Sequence, residues 1–274
     1  MQRKILFALL GLGLGLQVAV AGGISLSPMI TEILLPPGSY YEDAITITNT
    51  KDEPVIVEAR VLGFMAPDGI PILLEPELDN YPYSGRDLLT IEPSEQVVNP
   101  GETVAFSYRV EMPEEVDPYG GRYVAAVFKV KPPASSEAQV VVSTRLAALF
   151  MLNPGGNVAP HLTITHTHVY QSENDPRKII LEALIKNDGN LHCTGDQIWG
   201  VIHVADQDGY FVDEFPVRTR YTLPGTSHLY RETWRAPETL PSGTYQFRWT
   251  ILVFGPAGTE SQRYVITTPI ELKF

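Results

Sequence analysis

The sequence predicts an all-β chain made of two successive sandwich domains, and three observations carry that prediction. First, Pro100 to Tyr123 (PGETVAFSYRVEMPEEVDPYGGRY) returns in outline at Pro224 to Tyr245 (PGTSHLYRETWRAPETLPSGTY). In each copy a Pro-Gly turn opens a strand, a proline follows the glycine at the same offset (Gly101 to Pro113, Gly225 to Pro237), and a Pro, Gly and Tyr cluster opens the next strand. Second, short runs of alternating apolar and polar residues are separated by Pro, Gly, Asn and Asp turns. Third, no helical stripe of useful length occurs. The 274 residues, 44% of them hydrophobic, suffice for two ordinary cores.

Met1 to Ala21 reads as a secretory signal peptide. Arg3 and Lys4 supply the positive start, Ile5 to Val20 the apolar run, and Ala19-Val20-Ala21 the small-residue cleavage site. The mature chain is expected to begin at Gly22 and to carry no integral membrane segment, because the apolar run falls short of the roughly 20 residues that span a bilayer. A periplasmic or secreted protein follows. Cys193 is the single cysteine, so no internal disulfide forms and no thiol near the cleavage site can carry a lipid. Loss of Arg3 and Lys4, with no acidic residue in the leader, takes the formal net charge from −12 to −14. Such a surface repels phosphate backbones and anionic lipid, which argues against nucleic-acid partners.

In the first domain, expected over residues 22–153, Ile24, Leu26 and Ile30 share one parity, as in a half-buried first strand. Pro36-Pro37-Gly38 turns the chain. Ala44 to Thr48 and Val55 to Val61, joined through Asn49 to Pro54, read as a hairpin-like pair. Glu75 to Pro93 is rich in Pro, Tyr and Asp and reads as a long loop with one short strand around Leu88 to Ile91. Because long loops on rigid sandwiches carry binding, Tyr81, Tyr83 and Arg86 become candidate ligand contacts, with simple packing as the competing reading. Strands follow at Thr103 to Glu111 and Arg122 to Lys131, then a strong β-run over Ala138 to Leu152. Asn153-Pro154-Gly155-Gly156-Asn157 ends it, and residues 154–157 are taken as the linker.

The second domain, expected over residues 158–274, opens with Pro160 to Tyr170 and continues with Lys178 to Lys186, Trp199 to Ala205, His228 to Arg235, Tyr245 to Phe254 and Arg263 to Phe274. About seven short strands in each copy is the pattern of an immunoglobulin-like or fibronectin-like sandwich. Leu240-Pro241-Ser242-Gly243-Thr244-Tyr245 resembles the corner at which such domains start a late strand with a buried tyrosine, and Tyr123 after Gly120-Gly121 is its counterpart in the first domain.

The exported start, the early strand Ile24 to Ile30, the run Ile45 to Thr50 (ITITNT) and the final strand STRLAALFML (Ser143 to Leu152) running into Asn-Pro together resemble the N-terminal domain of periplasmic pilus chaperones. The resemblance covers about half of the mature chain. It implies a non-enzymatic cell-envelope protein whose last first-domain strand is lent to a partner protein, a form of β-augmentation. Ala138, Val140, Val142, Arg145 and Leu146 would then meet the partner. The apolar parity of Ala138, Val140 and Val142 equally suits packing on their own core. The family anchors its subunit's terminal carboxylate with an arginine in the first strand and a lysine in the last. Here the first strand, ISLSPMITEI, has no basic residue, and the last has Arg145 without a lysine.

Other constellations point away from chemistry. His166 and His168 put two imidazoles on one strand face with Leu162 and Ile164, too few ligands for a metal site. Asp206-Gln207-Asp208-Gly209 lacks the later glutamate of a calcium loop and suits a hairpin turn. No nucleophile elbow and no phosphate loop occurs, so no enzyme activity and no cofactor are expected. Trp199, Trp234 and Trp249 would form a glycan-stacking face only if exposed, and Trp249, which shares the parity of Tyr245, is the one most suited to the core. A cell-surface module that binds glycan or peptidoglycan is therefore the alternative to a protein partner.

Overall fold

A computed structural model describes residues 19–21, 23–133, 143–217, 221–254 and 260–274. The first sandwich faces one sheet against another. One sheet runs, in spatial order, β1 (Ala19–Ala21), β2 (Ile24–Ser27), β4 (Tyr40–Asn49), β9 (Thr103–Glu111) and β7 (Leu89–Glu92). The other runs β3 (Ile30–Leu34), β11 (Thr144–Asn153), β10 (Arg122–Lys131), β5 (Val55–Met65) and β6 (Ile72–Leu74), with β8 (Glu95–Val98) also pairing with β5.

Strict alternation in β9 explains the packing. Val104, Phe106, Tyr108 and Val110 are buried while Thr103, Ala105 and Ser107 are exposed. Phe106 meets Phe128 of the opposite sheet edge to face at 5.1 Å between ring centroids, and Tyr108 meets Phe150 at 4.8 Å.

Two sequence expectations need correction. The first strand is not continuous: at Pro28 the chain leaves one sheet for the other, where β3 runs parallel to β11. Ile24 and Leu26 reach the core, but Ile30 faces the outside of the second sheet with Glu32. The pair around Asn49 to Pro54 is not a hairpin either. Strand β4 pairs with β2 and β9, whereas β5 lies in the opposite sheet, so this link crosses the sandwich. Alternation alone reports which residues face inward and is silent about which sheet a strand joins.

The second sandwich pairs the sheet β12 (Leu162–Gln171), β13 (Lys178–Asn187) and β16 (Ser227–Arg235) with the sheet β15 (Phe211–Val217), β14 (Ile198–Asp206), β17 (Gly243–Phe254) and β18 (Glu260–Leu272). Tyr245, Phe247, Trp249 and Ile251 of β17 all point inward. The Tyr245 hydroxyl donates to the Pro241 carbonyl at 2.7 Å, four residues upstream, and so makes the tyrosine corner read from the sequence. The chain is all β, two tandem immunoglobulin-like sandwiches. No helix among the described residues is long and apolar enough to cross a membrane.

Candidate functional site

Strand β11 offers the most informative edge in the molecule. Along its whole length it pairs with β10, from Thr144 opposite Val130 to Leu152 opposite Arg122. On its other side β3 covers only Leu149–Asn153. Among the described residues, no strand pairs with the outer side of Thr144–Ala148. The Leu149 amide donates outward to the Met29 carbonyl at 2.9 Å, so by the two-residue period of a strand the backbone groups of Arg145 and Ala147 also point outward. That half-edge is a template for one further strand.

The side chains of β11 divide by parity. Leu146, Ala148, Phe150 and Leu152 enter the core of the first sandwich, while Arg145, Ala147, Leu149 and Met151 face the outside of the sheet. Of the expected partner contacts, Arg145 is exposed on the outer face and Leu146 is a core residue of its own domain. Ala138, Val140 and Val142 lie outside the described residues.

Register puts Lys129 of β10 directly opposite Arg145, and Glu58 of β5 opposite Lys129. One row across the outer face thus reads acid, base, base. Lys129 and, more strongly, Lys131 hold the Glu58 carboxyl below its ordinary range, with the Lys131 hydrogen bond the largest cause. Arg145 makes no ion pair with any described residue. Lys129 was missed by sequence reading because only the cross-strand register brings it to Arg145.

Farther along the same face, both sides of β10 are buried. Val124, Ala126 and Phe128 enter the core, while Tyr123, Ala125 and Val127 join Leu62, Phe64, Met151 and, from the second sandwich, Leu223. This apolar junction explains why RYVAAVFKV reads as a continuous apolar run rather than an alternating one. The Tyr123 hydroxyl lies 3.2 Å from His192 Nδ1, and Glu32 stands 3.8 Å from His192 Nε2. Tyr123 is therefore a junction residue and not the tyrosine corner expected of it; burial drives its phenol pKa far upward.

Arg122 takes over the work of holding that loop. Buried beside it, its guanidinium donates to the carbonyls of Pro118, Gly121 and Gly120 at 2.7, 3.0 and 3.3 Å. The loop so held meets the second sandwich through the Gly121 amide, which donates to Asn190 O at 2.8 Å, and through Asn190 Nδ2, which donates to Tyr119 O at 3.0 Å.

In the long first-domain loop Tyr81, Tyr83 and Arg86 are partly buried, while Leu78 is 72% exposed. Tyr81 donates its hydroxyl to Pro224 O of the second sandwich at 2.8 Å and packs on Tyr83 and Tyr123. Arg86 is turned toward its own loop, donating to Pro76 O at 3.1 Å and to Asp87 Oδ1 at 3.3 Å. The three tryptophans separate as well: Trp234 and Trp249 are 5% and 1% exposed, against 53% for Trp199, so they make no common stacking face.

His166 and His168 do not continue the parity of Leu162. A register shift between Thr165 and His168, with His166 at φ 54°, turns both imidazoles out to solvent. Asp206 to Gly209 is the turn joining β14 to β15, where Asp206 Oδ1 accepts from the amides of Asp208 and Tyr210 at 3.0 and 2.9 Å. Cys193 is fully buried and burial pushes its thiol pKa up to about 12, which leaves it unreactive at neutral pH.

The fold and the edge together define a two-sandwich immunoglobulin-like protein in which, among the described residues, the outer side of β11 is covered by β3 over only part of its length. No family model matches the chain, and no curated protein matches it. Among solved structures it is similar to the class 5 fimbriae chaperone CfaA, with 12% identity and a TM-score of 0.46 over 89% of this chain and 98% of that one. It is also similar to the YadV chaperone (8% identity, TM-score 0.43, 90% and 100% covered). A third is the Salmonella enterica SafB chaperone in complex with the SafA pilin (12% identity, TM-score 0.41, 91% and 98% covered). The fold assignment itself stands on the strand order and register of this chain.

Proposed function

We propose that this chain is an exported, non-enzymatic protein of the cell envelope that acts as an assembly chaperone, pairing the outer edge of Thr144–Ala148 with an extended segment of a partner protein. The single observation that carries the reading is the half-covered state of β11, where β3 reaches no farther than Leu149 and no strand among the described residues meets the outward backbone groups of Arg145 and Ala147. Backbone hydrogen bonds would supply affinity there, and alternate side chains would set register. Under this reading the leader ends at Ala21 and the mature chain comprises residues 22–153, a linker at 154–157 and residues 158–274. Cleavage after Ala21 also removes β1, so that β2 becomes the edge of its sheet.

The test is capture of a partner from the native envelope extract by residues 22–274, beside the Ala147→Pro variant. Proline there removes an outward amide and breaks no ladder bond to β10, so the fold is expected to persist while the new strand is lost. Amide exchange provides the second readout: Arg145 and Ala147 should gain protection when the partner binds. A partner captured equally by both chains, with no gain of protection at these two amides, overturns the proposal.

A further inference from the structure

Resting on that reading, we infer that the segment captured by β11 carries an acidic side chain at the position paired with Arg145. The inference starts from the row across the outer face of the sheet. Glu58, Lys129 and Arg145 stand in register on β5, β10 and β11. Opposite charges directly across a ladder stabilise it and like charges destabilise it. Lys129 has the Glu58 carboxylate on one side and a second cation on the other.

The other two bases on that face each have an acid beside them. Arg60 pairs with Glu75 at 3.4 Å, and Lys131 is shared between Glu58 and Glu95. Arg145 is left at the end of the row, exposed, with no ionic partner among the described residues and with its backbone directed at the open edge. A carboxylate on the next strand would complete the row as acid, base, base, acid and would relieve the Lys129–Arg145 repulsion. In a chain with a formal net charge of −12, two adjacent cations at this edge select against neutral and basic segments that would fit it equally well by backbone alone.

The experiment uses short synthetic peptides of alternating valine and threonine, flanked by proline and blocked at both termini, with Glu, Gln or Lys at the central outward position. Blocking removes any contribution from a terminal carboxylate. Their binding is measured by calorimetry to residues 22–274 and to the Arg145→Glu variant, whose exposed position leaves the core untouched. The Glu peptide should bind the unmodified chain about two- to fivefold more tightly than the Gln peptide, with the Lys peptide weakest. The order should reverse in Arg145→Glu, and the preference should fade at ~1 M salt, where the screening length is only about 3 Å. Binding of all three peptides with equal affinity would overturn this inference and leave strand capture standing. Binding of none, with no change in exchange at Ala147, would overturn strand capture itself.

Discussion

Asn49 and Asn187 hold the same position in the two sandwiches, each the last residue of its strand and each without solvent exposure. The Asn49 side-chain amide donates to Glu53 O at 2.8 Å and Val98 O at 3.0 Å; that of Asn187 donates to Leu191 O at 2.7 Å and Thr222 O at 2.9 Å. Their Oδ1 atoms accept from the amides two residues on, Lys51 and Gly189. Their backbone carbonyls accept from Gly101 and Gly225, the glycines of the two Pro-Gly turns, both at φ near 70°. One asparagine thus ties a turn, a crossing link and a strand end together, twice in one chain.

Aspartate at either position is nearly isosteric but replaces two donors with acceptors facing carbonyl oxygens. Asn187→Asp should therefore destabilise the second sandwich by about 2 to 4 kcal/mol. The three tryptophans of the chain all lie in that sandwich, so their fluorescence in a urea titration reports it directly. The midpoint should drop for Asn187→Asp; an unchanged midpoint would sink the argument. Asn49→Asp should show its loss first in the far-ultraviolet signal of the other sandwich.

The two tyrosines that look equivalent in sequence should respond differently. Tyr245→Phe removes the bond to Pro241 O and should lower the tryptophan midpoint by an amount corresponding to about 1 kcal/mol. Tyr123→Phe instead unpairs His192 at the junction and should leave that midpoint in place while raising proteolytic cleavage between the sandwiches. Equal effects of the two variants on both readouts would contradict the separate roles.

Arg122 supports a related expectation. Its planar guanidinium spans three carbonyls of the Pro118 to Gly121 loop, a geometry that the single ammonium of a lysine does not reproduce. Arg122→Lys should cost about 2 kcal/mol, the order of a lost charged hydrogen bond, and weaken the Asn190 contacts, seen as faster exchange of the Gly121 amide. Protection of that amide at the unmodified level would refute the role.

What was legible in the sequence follows from what alternation and turn chemistry encode. Strands β9 and β10 were readable to the residue, because Pro-Gly before Thr103 and Gly-Gly before Arg122 punctuate unbroken apolar patterns. The switch of sheets at Pro28, the crossing at Asn49 and the pairing of Lys129 with Arg145 are relations between distant residues and leave no local trace. Tyr81 and Tyr83 looked like loop contacts because aromatic residues in an aperiodic stretch suit either a binding loop or a domain junction. The bond from Tyr81 to Pro224 O places Tyr81 at the junction, a relation between residues 143 apart that no local pattern carries.

Alkaline pH offers the last test. Burial raises the Cys193 thiol to about 12 and raises the phenols of Tyr81, Tyr108, Tyr123 and Tyr230 above their ordinary range. A raised acid favours its neutral form in the folded chain, so its contribution is complete below the unfolded pKa and is lost as pH rises through the folded one. For Cys193 the window opens near the ordinary thiol value of about 8.5 and closes near 12, with a slope of about 1.4 kcal/mol per pH unit while it lasts. The phenols add to the slope above about 10. Stability measured by urea titration should therefore hold steady between pH ~7 and pH ~8 and fall increasingly steeply above it. Because Cys193 is the only thiol, its labelling adds a site-specific readout: at pH ~8 the native chain should resist a thiol reagent, and labelling in urea should follow the tryptophan transition of the same sandwich. Rapid labelling of the native chain would show that this core opens without unfolding and would remove the basis for the predicted slope.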